Sequence, residues 1–323
     1  MVLKNRFGTI LTAMLVAAAV ALTGCGGSKA TDSGKAAAPA PEAPKTRTVK
    51  HFRGETQVPV SPQRIVVLDT GELDSMVALG IKPVGAVTVY QDGEFQAYLK
   101  EKLEGVKKVG TIAQPNLEAI AALKPDLIIS SETRHKDIYD KLSQIAPTVF
   151  TESVGVSWKA NFSLHAEAVN KAAEAEKLMV AYYKRMDEFK AKMGENLAKT
   201  NVSIIRGLTD QVRIYMNASF IGTVIKDAGL PRPAAQNKNV FMEPATEERI
   251  PDLDAAVMFV TQFRGADGKD TMVTKLQAHP LWSQLSVVKN NRVYEVPDDY
   301  WMLGIGITAA QKVQDDLFKY LVK

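Results

Sequence analysis

The chain of 323 residues holds one cysteine, Cys25, and four histidines, His51, His135, His165 and His279, far apart with no recognisable ligand spacing. A single thiol excludes a disulfide framework within the chain and a cysteine-based metal site. Direct capture of a bare transition metal needs clustered His, Asp, Glu or Cys, and the sequence shows no such cluster. No Gly-x-x-x-x-Gly-Lys loop, Gly-x-Ser-x-Gly elbow or paired-histidine metal motif is present, so nothing points to catalysis. Gly304 and Gly306 precede a helix, but at the wrong end of the chain for a dinucleotide site. Charge of one sign is not in excess either: 40 Lys and Arg stand against 36 Asp and Glu, a formal +4. Without Lys4 and Arg6, the only charges before Cys25, the balance falls to +2. With no basic run and no basic-aromatic array, nucleic acid is not an expected partner.

Long apolar runs are also missing. The run from Ile10 to Leu22 is shorter than the roughly 20 residues a membrane-spanning helix needs. Preceded by Lys4 and Arg6 and followed by Leu22-Thr23-Gly24-Cys25, it reads as an export signal. The last four residues resemble the lipobox of bacterial lipoproteins. That resemblance implies cleavage before Cys25 and a diacylated thiol, and two acyl chains suffice for stable anchoring. Residues 25–50 are mostly Gly, Ser, Ala, Pro and Lys, a composition that buries no core and reads as a flexible tether.

The remainder is long enough for two domains. Short apolar runs alternate with helical patterns, the signature of βα units and largely parallel sheets. Strands are expected at Arg64–Leu68, Pro83–Val87, Asp126–Ser130 and Thr148–Phe150, then at Val202–Ile205, Val212–Met216, Val257–Val260 and Arg292–Val296. Between the two sets lies a stretch without proline, Ala172–Leu197. Its apolar residues Ala175, Leu178, Met179, Tyr182, Met186, Phe189, Met193 and Leu197 recur in steps of three and four. That spacing predicts one amphipathic helix of roughly 26 residues and about 40 Å, long enough to act as a strut. The halves echo one another: residues 116–129 align without gaps on 246–259, and Glu118 falls on Glu248. The expected layout is a signal over 1–24, a tether over 25–50, an N-terminal lobe over 51–157, an interlobe segment over 158–199 and a C-terminal lobe over 200–323.

Several motifs carry a wider resemblance: Asn-Leu-Glu-x-Ile-x-x-Leu-Lys-Pro-Asp at Asn116–Asp126, and the strand-to-helix opening Arg64–Gly80. With them stand Arg-His-x-x-Ile-Tyr at Arg134–Tyr139, Ile-Ala-Pro-Thr-Val at Ile145–Val149 and Ser-Trp-Lys-x-Asn-Phe at Ser157–Phe162. From His51 to the C-terminus the chain resembles the ABC-importer binding proteins that carry siderophores, haem and cobalamin. It looks closest to lipoproteins for hydroxamate and citrate-hydroxamate siderophores. The resemblance implies two Rossmann-like α/β lobes joined by one long helix, with the ligand cleft between them. It implies a monomer on the extracytoplasmic face of the membrane, and a Gram-positive envelope is expected. Partner permease subunits and a separate ATPase are implied too, with Glu118 and Glu248 as the docking carboxylates.

A ferric siderophore brings Fe(III) already wrapped in oxygens, so the implied protein needs no intrinsic cofactor and no metal ligands of its own. It needs cations and aromatic walls on loops at the facing lobe edges. The candidates are Tyr90, Arg134 and Trp158 in the first half, and Arg206, Arg213, Tyr215, Phe263, Arg264 and Trp301 in the second. His135 is expected beside the site rather than in it. Haem, cobalamin and ferric citrate remain alternative cargoes on fold alone.

Overall fold

The computed structural model describes residues 45–89, 93–263 and 270–322. The expected signal, Cys25 and most of the tether lie outside the described residues, as do Tyr90 and Arg264. Strands β1 (Thr46–His51) and β2 (Gly54–Pro59) form an antiparallel hairpin, so residues 46–50, expected to be tether, belong to a strand. Val49 and Val58 are fully buried there, which gives this short hairpin an apolar face to hold it.

The first half continues with β3 (Ile65–Val67), α1 (Thr70–Ala78), β4 (Gly85–Thr88), β5 (Lys107–Thr111) and α2 (Leu117–Ala122). It closes with β6 (Leu127–Ser131), α3 (Glu132–His135), α4 (Tyr139–Ile145) and β7 (Thr148–Thr151). Helices α5 (Trp158–Ala168) and α6 (Ala172–Met193) make the crossing. The second half runs through β8 (Val202–Gly207), β9 (Val212–Tyr215), α7 (Phe220–Asp227), β10 (Met242–Pro244) and β11 (Val257–Gln262). It ends with α8 (Met272–Gln277), α9 (Ser286–Lys289), β12 (Val293–Glu295) and α10 (Ile307–Leu321). The result is two α/β lobes joined by a long helix. That helix is shorter than its apolar pattern predicts, because Gly194 takes φ 50° and ends it after Met193.

Each lobe has a five-stranded sheet, ordered β5-β4-β3-β6-β7 and β10-β9-β8-β11-β12. The first is parallel throughout. In the second, β8, β11 and β12 are parallel, and β9 alone is reversed, pairing antiparallel with both β8 and β10. The cause is local: only residues 208–211 link β8 to β9, too few for the crossover that a parallel neighbour requires.

Side chains alternate across each sheet. Val66, Leu68, Ile128 and Phe150 pack outward under α2 and α4, while Ile65, Val67, Leu127 and Ile129 face inward. The inward set joins Val202, Ile204 and Phe259 of the second sheet through α5, α6 and α10 in one apolar cluster. Each such side chain contributes about 1.5–3 kcal/mol on burial, so the lobes share a core and resist splaying apart.

A polar contact reinforces this link. Asp74 of α1, fully buried, accepts hydrogen bonds from the backbone N–H groups of Thr308 and Ala309 at 2.8 and 2.9 Å, and from the Tyr98 hydroxyl at 2.8 Å. It therefore caps a helix 234 residues away in the chain. A Cβ on Gly306 would collide with this carboxylate, so only glycine allows the approach. Burial pushes the Asp74 carboxyl up to about 6, against the pull of those three donors. Among the described residues, no helix is long and apolar enough to cross a membrane.

Candidate functional site

The loops leaving the C-terminal edges of the strands face one another across a cleft of about 600 Å³. This is the edge at which open α/β sheets hold ligands. Its first wall is built on α3, the turn that follows β6. Arg134 lines the cleft and donates through Nε to Asp69 Oδ2 at 2.7 Å. Asp69 is buried at the end of β3 and also accepts from the Thr70 N–H at 2.7 Å, capping α1. Beside it sits Glu72, buried, with Oε2 lacking a hydrogen-bond partner among the described residues. Burial first, then the Asp69 charge, raise the Glu72 carboxyl well above the usual range. Burial alone would lower the Arg134 guanidinium, but Asp69 and then Glu72 outweigh it and raise it.

The second wall rests on the β8–β9 hairpin. Arg206 and Arg213 are register partners across it. Asp298 clamps Arg206 with two hydrogen bonds, 2.7 Å to Nε and 2.6 Å to Nη2. Arg206 Nη1 donates to the Tyr215 hydroxyl at 3.2 Å, and the Phe263 ring centre lies 5.0 Å from the guanidinium. Such a bidentate clamp leaves the guanidinium little freedom. Arg213 is different. Its Nε is closed off from solvent, and it has no hydrogen bond or ion pair among the described residues.

Aromatic and aliphatic groups complete the walls. Tyr215 meets Phe241 edge to face at 5.3 Å, and Phe241 remains half-exposed at the cleft edge. Trp301, Met302, Leu303 and Ile305 line the cleft from the π-helical turn Asp299–Leu303 and just beyond it. The Trp301 indole N–H donates to Asp316 at 2.8 Å, and its ring packs on Phe259, with centroids 4.5 Å apart.

Of the candidates within the described residues, the structure brings Arg134, Arg206, Arg213, Tyr215 and Phe263 to this one cleft, while Trp301 is fully buried and backs its wall. Tyr90 and Arg264 fall outside those residues, but Val89 and Phe263, which precede them, line it. Trp158 needs correction. It is buried in the shared core, donates its indole N–H to Thr223 at 2.8 Å and packs edge-on against Tyr182 and Phe220. Val154 and Gly155, just ahead of it, reach the cleft instead. His135 stands aside as expected: Ser130 Oγ lies 2.6 Å from Nδ1 and the Ile112 carbonyl 2.7 Å from Nε2. A carbonyl can only accept, so Nε2 carries the proton and Nδ1 accepts from Ser130. Phe241, Met302, Leu303 and Ile305 also line the cleft, beyond the sequence candidates. The sequence signal was slight, an aromatic after a polar loop and an aliphatic run after Trp301.

Glu118 and Glu248 lie away from the cleft walls, both exposed, in the first turns of α2 and of the 3₁₀ segment Glu247–Leu253. These segments feed the equivalent strands β6 and β11. Asn116 caps the first by accepting from the Ala119 N–H at 2.9 Å. Among the described residues, no group of three or more His, Cys, Asp or Glu could hold a metal ion.

This geometry has close counterparts. A probable siderophore-binding lipoprotein of Bacillus subtilis, YfiY, is 41% identical over 289 residues, covering 86% of this chain and 89% of its own. The Fe(3+)-citrate-binding protein YfmC of the same organism is 30% identical over 98% of this chain and 97% of its own. The crystal structure of Staphylococcus aureus SirA complexed with staphyloferrin B matches with a TM-score of 0.77 at 33% identity. That match covers 85% of this chain and 98% of SirA. The family model described as periplasmic binding protein matches residues 65–300, and the chain belongs to that family.

Proposed function

We propose that this protein is the lipid-anchored, extracytoplasmic binding component of an ABC importer and that it captures a ferric siderophore. The observation that carries the reading is the cleft itself. It sets three guanidinium groups among aromatic and aliphatic walls, the surroundings a prewrapped metal complex needs and a bare ion does not. Oxygen atoms on the outside of the chelate take the guanidinium hydrogen bonds while the iron stays with its own ligands. Relatives named for siderophore, Fe(3+)-citrate and iron(3+)-hydroxamate binding support a chelate of the hydroxamate or citrate-hydroxamate type.

In this reading Arg134, Arg206, Arg213 and Tyr215 hold the cargo, with the buried Trp301 packed behind them and Tyr90 and Arg264 beside them. Glu118 and Glu248 present it to a two-subunit permease powered by a separate ATPase. Cys25 carries the lipid, residues 51–157 and 200–323 act as the two lobes, and the protein works as a monomer on a Gram-positive membrane. Titration of the purified protein with ferric hydroxamates, ferric citrate, catecholates, haem and cobalamin, followed by tryptophan quenching, tests the assignment. Saturation at one ferric citrate-hydroxamate per chain is expected. A response to haem or cobalamin alone would overturn the choice of cargo.

A further inference from the structure

The two cleft walls differ in charge balance. On the first, Arg134 is met by Asp69 at 2.7 Å and sits in the field of Glu72, so one cation faces one or two carboxylates. On the second, Asp298 neutralises Arg206, but Arg213 beside it has no counterion among the described residues. A third cation lies directly behind. Arg232 donates through Nη2 to the Tyr215 carbonyl at 2.6 Å and to Gln236 Oε1 at 2.9 Å. Its Nε and Nη1 are closed off from solvent without partners among the described residues, and burial pulls its guanidinium down to about 10. The other acids nearby are committed elsewhere: Asp299 accepts from the Ala97 N–H at 2.7 Å, and Glu243 pairs with Lys238 and Arg249. Even with Asp299 counted, three arginines face two carboxylates among the described residues of this wall.

Desolvating an unpaired cation is costly, and the cost is offset when an anion arrives. We infer that the cargo lies with its anionic face against the second wall, and that Arg213, backed by the non-contacting Arg232, selects chelates carrying a free carboxylate. This rests on the reading of the cleft as a chelate site. Arg134, already compensated by Asp69, positions the other face of the cargo without selecting its charge.

The test compares ferric citrate, which presents free carboxylate oxygens, with a neutral ferric trihydroxamate. Each is titrated into wild type, Arg213→Gln, Arg232→Gln and Arg134→Gln. Arg213→Gln should weaken ferric citrate by about tenfold or more and the trihydroxamate by less than about threefold. Arg232→Gln should discriminate in the same direction by several-fold although it does not line the cleft, and Arg134→Gln should weaken both chelates alike. Equal losses for both chelates in Arg213→Gln, or stronger discrimination in Arg134→Gln, would overturn the inference.

Melting of the ligand-free protein reads the charge excess independently of cargo. Arg213→Gln should raise the melting temperature and Arg134→Gln should lower it, and a fall in both contradicts an excess on the second wall. If wild type binds neither chelate, the proposed cargo fails. The charge inference is then decided by the melting arm and by iron-free citrate, which should stabilise wild type but not Arg213→Gln.

Discussion

The two sheets share one strand order yet present their cleft residues by different means. In the N-terminal sheet every strand is parallel, so the cleft is reached by the segments leaving strand ends, as at Thr70, Arg134 and Val154. In the C-terminal sheet the short β8–β9 link reverses one strand, and the hairpin carries Arg206, Arg213 and Tyr215 within strands. A strand fixes a side chain more firmly than a loop does, and cross-strand partners are held side by side. The comparison teaches that one topology can supply a wall of compensated, loop-borne contacts and a wall of strand-borne cations.

The sharpest way to break the comparison is to remove the feature expected to be equivalent in both lobes. Glu118→Ala combined with Glu248→Ala should abolish iron uptake in cells while chelate affinity in vitro stays unchanged. Each single substitution should leave partial uptake. A parallel fall in affinity would mean that these carboxylates serve the cleft rather than docking.

A second prediction probes what holds the lobes together. Asp74, buried against the Tyr98 hydroxyl and the Thr308 and Ala309 amides, has a carboxyl pushed up to about 6. Its proton is bound more tightly in the folded chain than in the unfolded one. The cost of ionising it is therefore absent below about pH 4 and grows to at most about 3 kcal/mol as pH rises through 6. Denaturant unfolding of Asp74→Asn and wild type should then give a stability difference that shifts in favour of the variant between pH 4 and pH 7. A difference independent of pH would contradict the assignment.

Phe241→Ala sharpens the contrast from the cleft side. The ring is half-exposed, so stability should change by less than about 0.5 kcal/mol, while chelate affinity should fall several-fold, measured by calorimetric titration. Trp158→Phe should do the reverse on a smaller scale. It removes the hydrogen bond to Thr223, costing about 1 kcal/mol of stability with no change in chelate affinity.

Much of this arrangement was legible in sequence because it obeys local rules. Apolar runs of strand length located β3, β6, β8 and β11, and the steps of three and four in Ala175–Met193 located α6. Alternation placed Arg213 and Tyr215 on one face of their strand. The elements that escaped lack such signals. Strands β5 and β10 include Lys107-Lys108 and Glu243-Pro244, polar or strand-breaking residues that sit at sheet edges. The carboxylates that position the arginines were not legible either: Asp69 is 65 residues from Arg134 and Asp298 is 92 from Arg206. Trp158 was misplaced for a related reason. An aromatic near an interlobe crossing suits a cleft wall and a shared core equally well until the fold shows which side of α5 it takes.

The central claim is that an intact iron chelate sits between the two walls, held by guanidinium groups and rings rather than by metal ligands from the protein. Anomalous diffraction at the iron edge, from crystals grown with a ferric citrate-hydroxamate, tests it most directly. One iron per chain is predicted within the cleft, flanked by Arg134 and Arg213, with every coordinating atom belonging to the chelate. An iron bonded directly to a protein side chain, or bound anywhere outside the cleft, would contradict it.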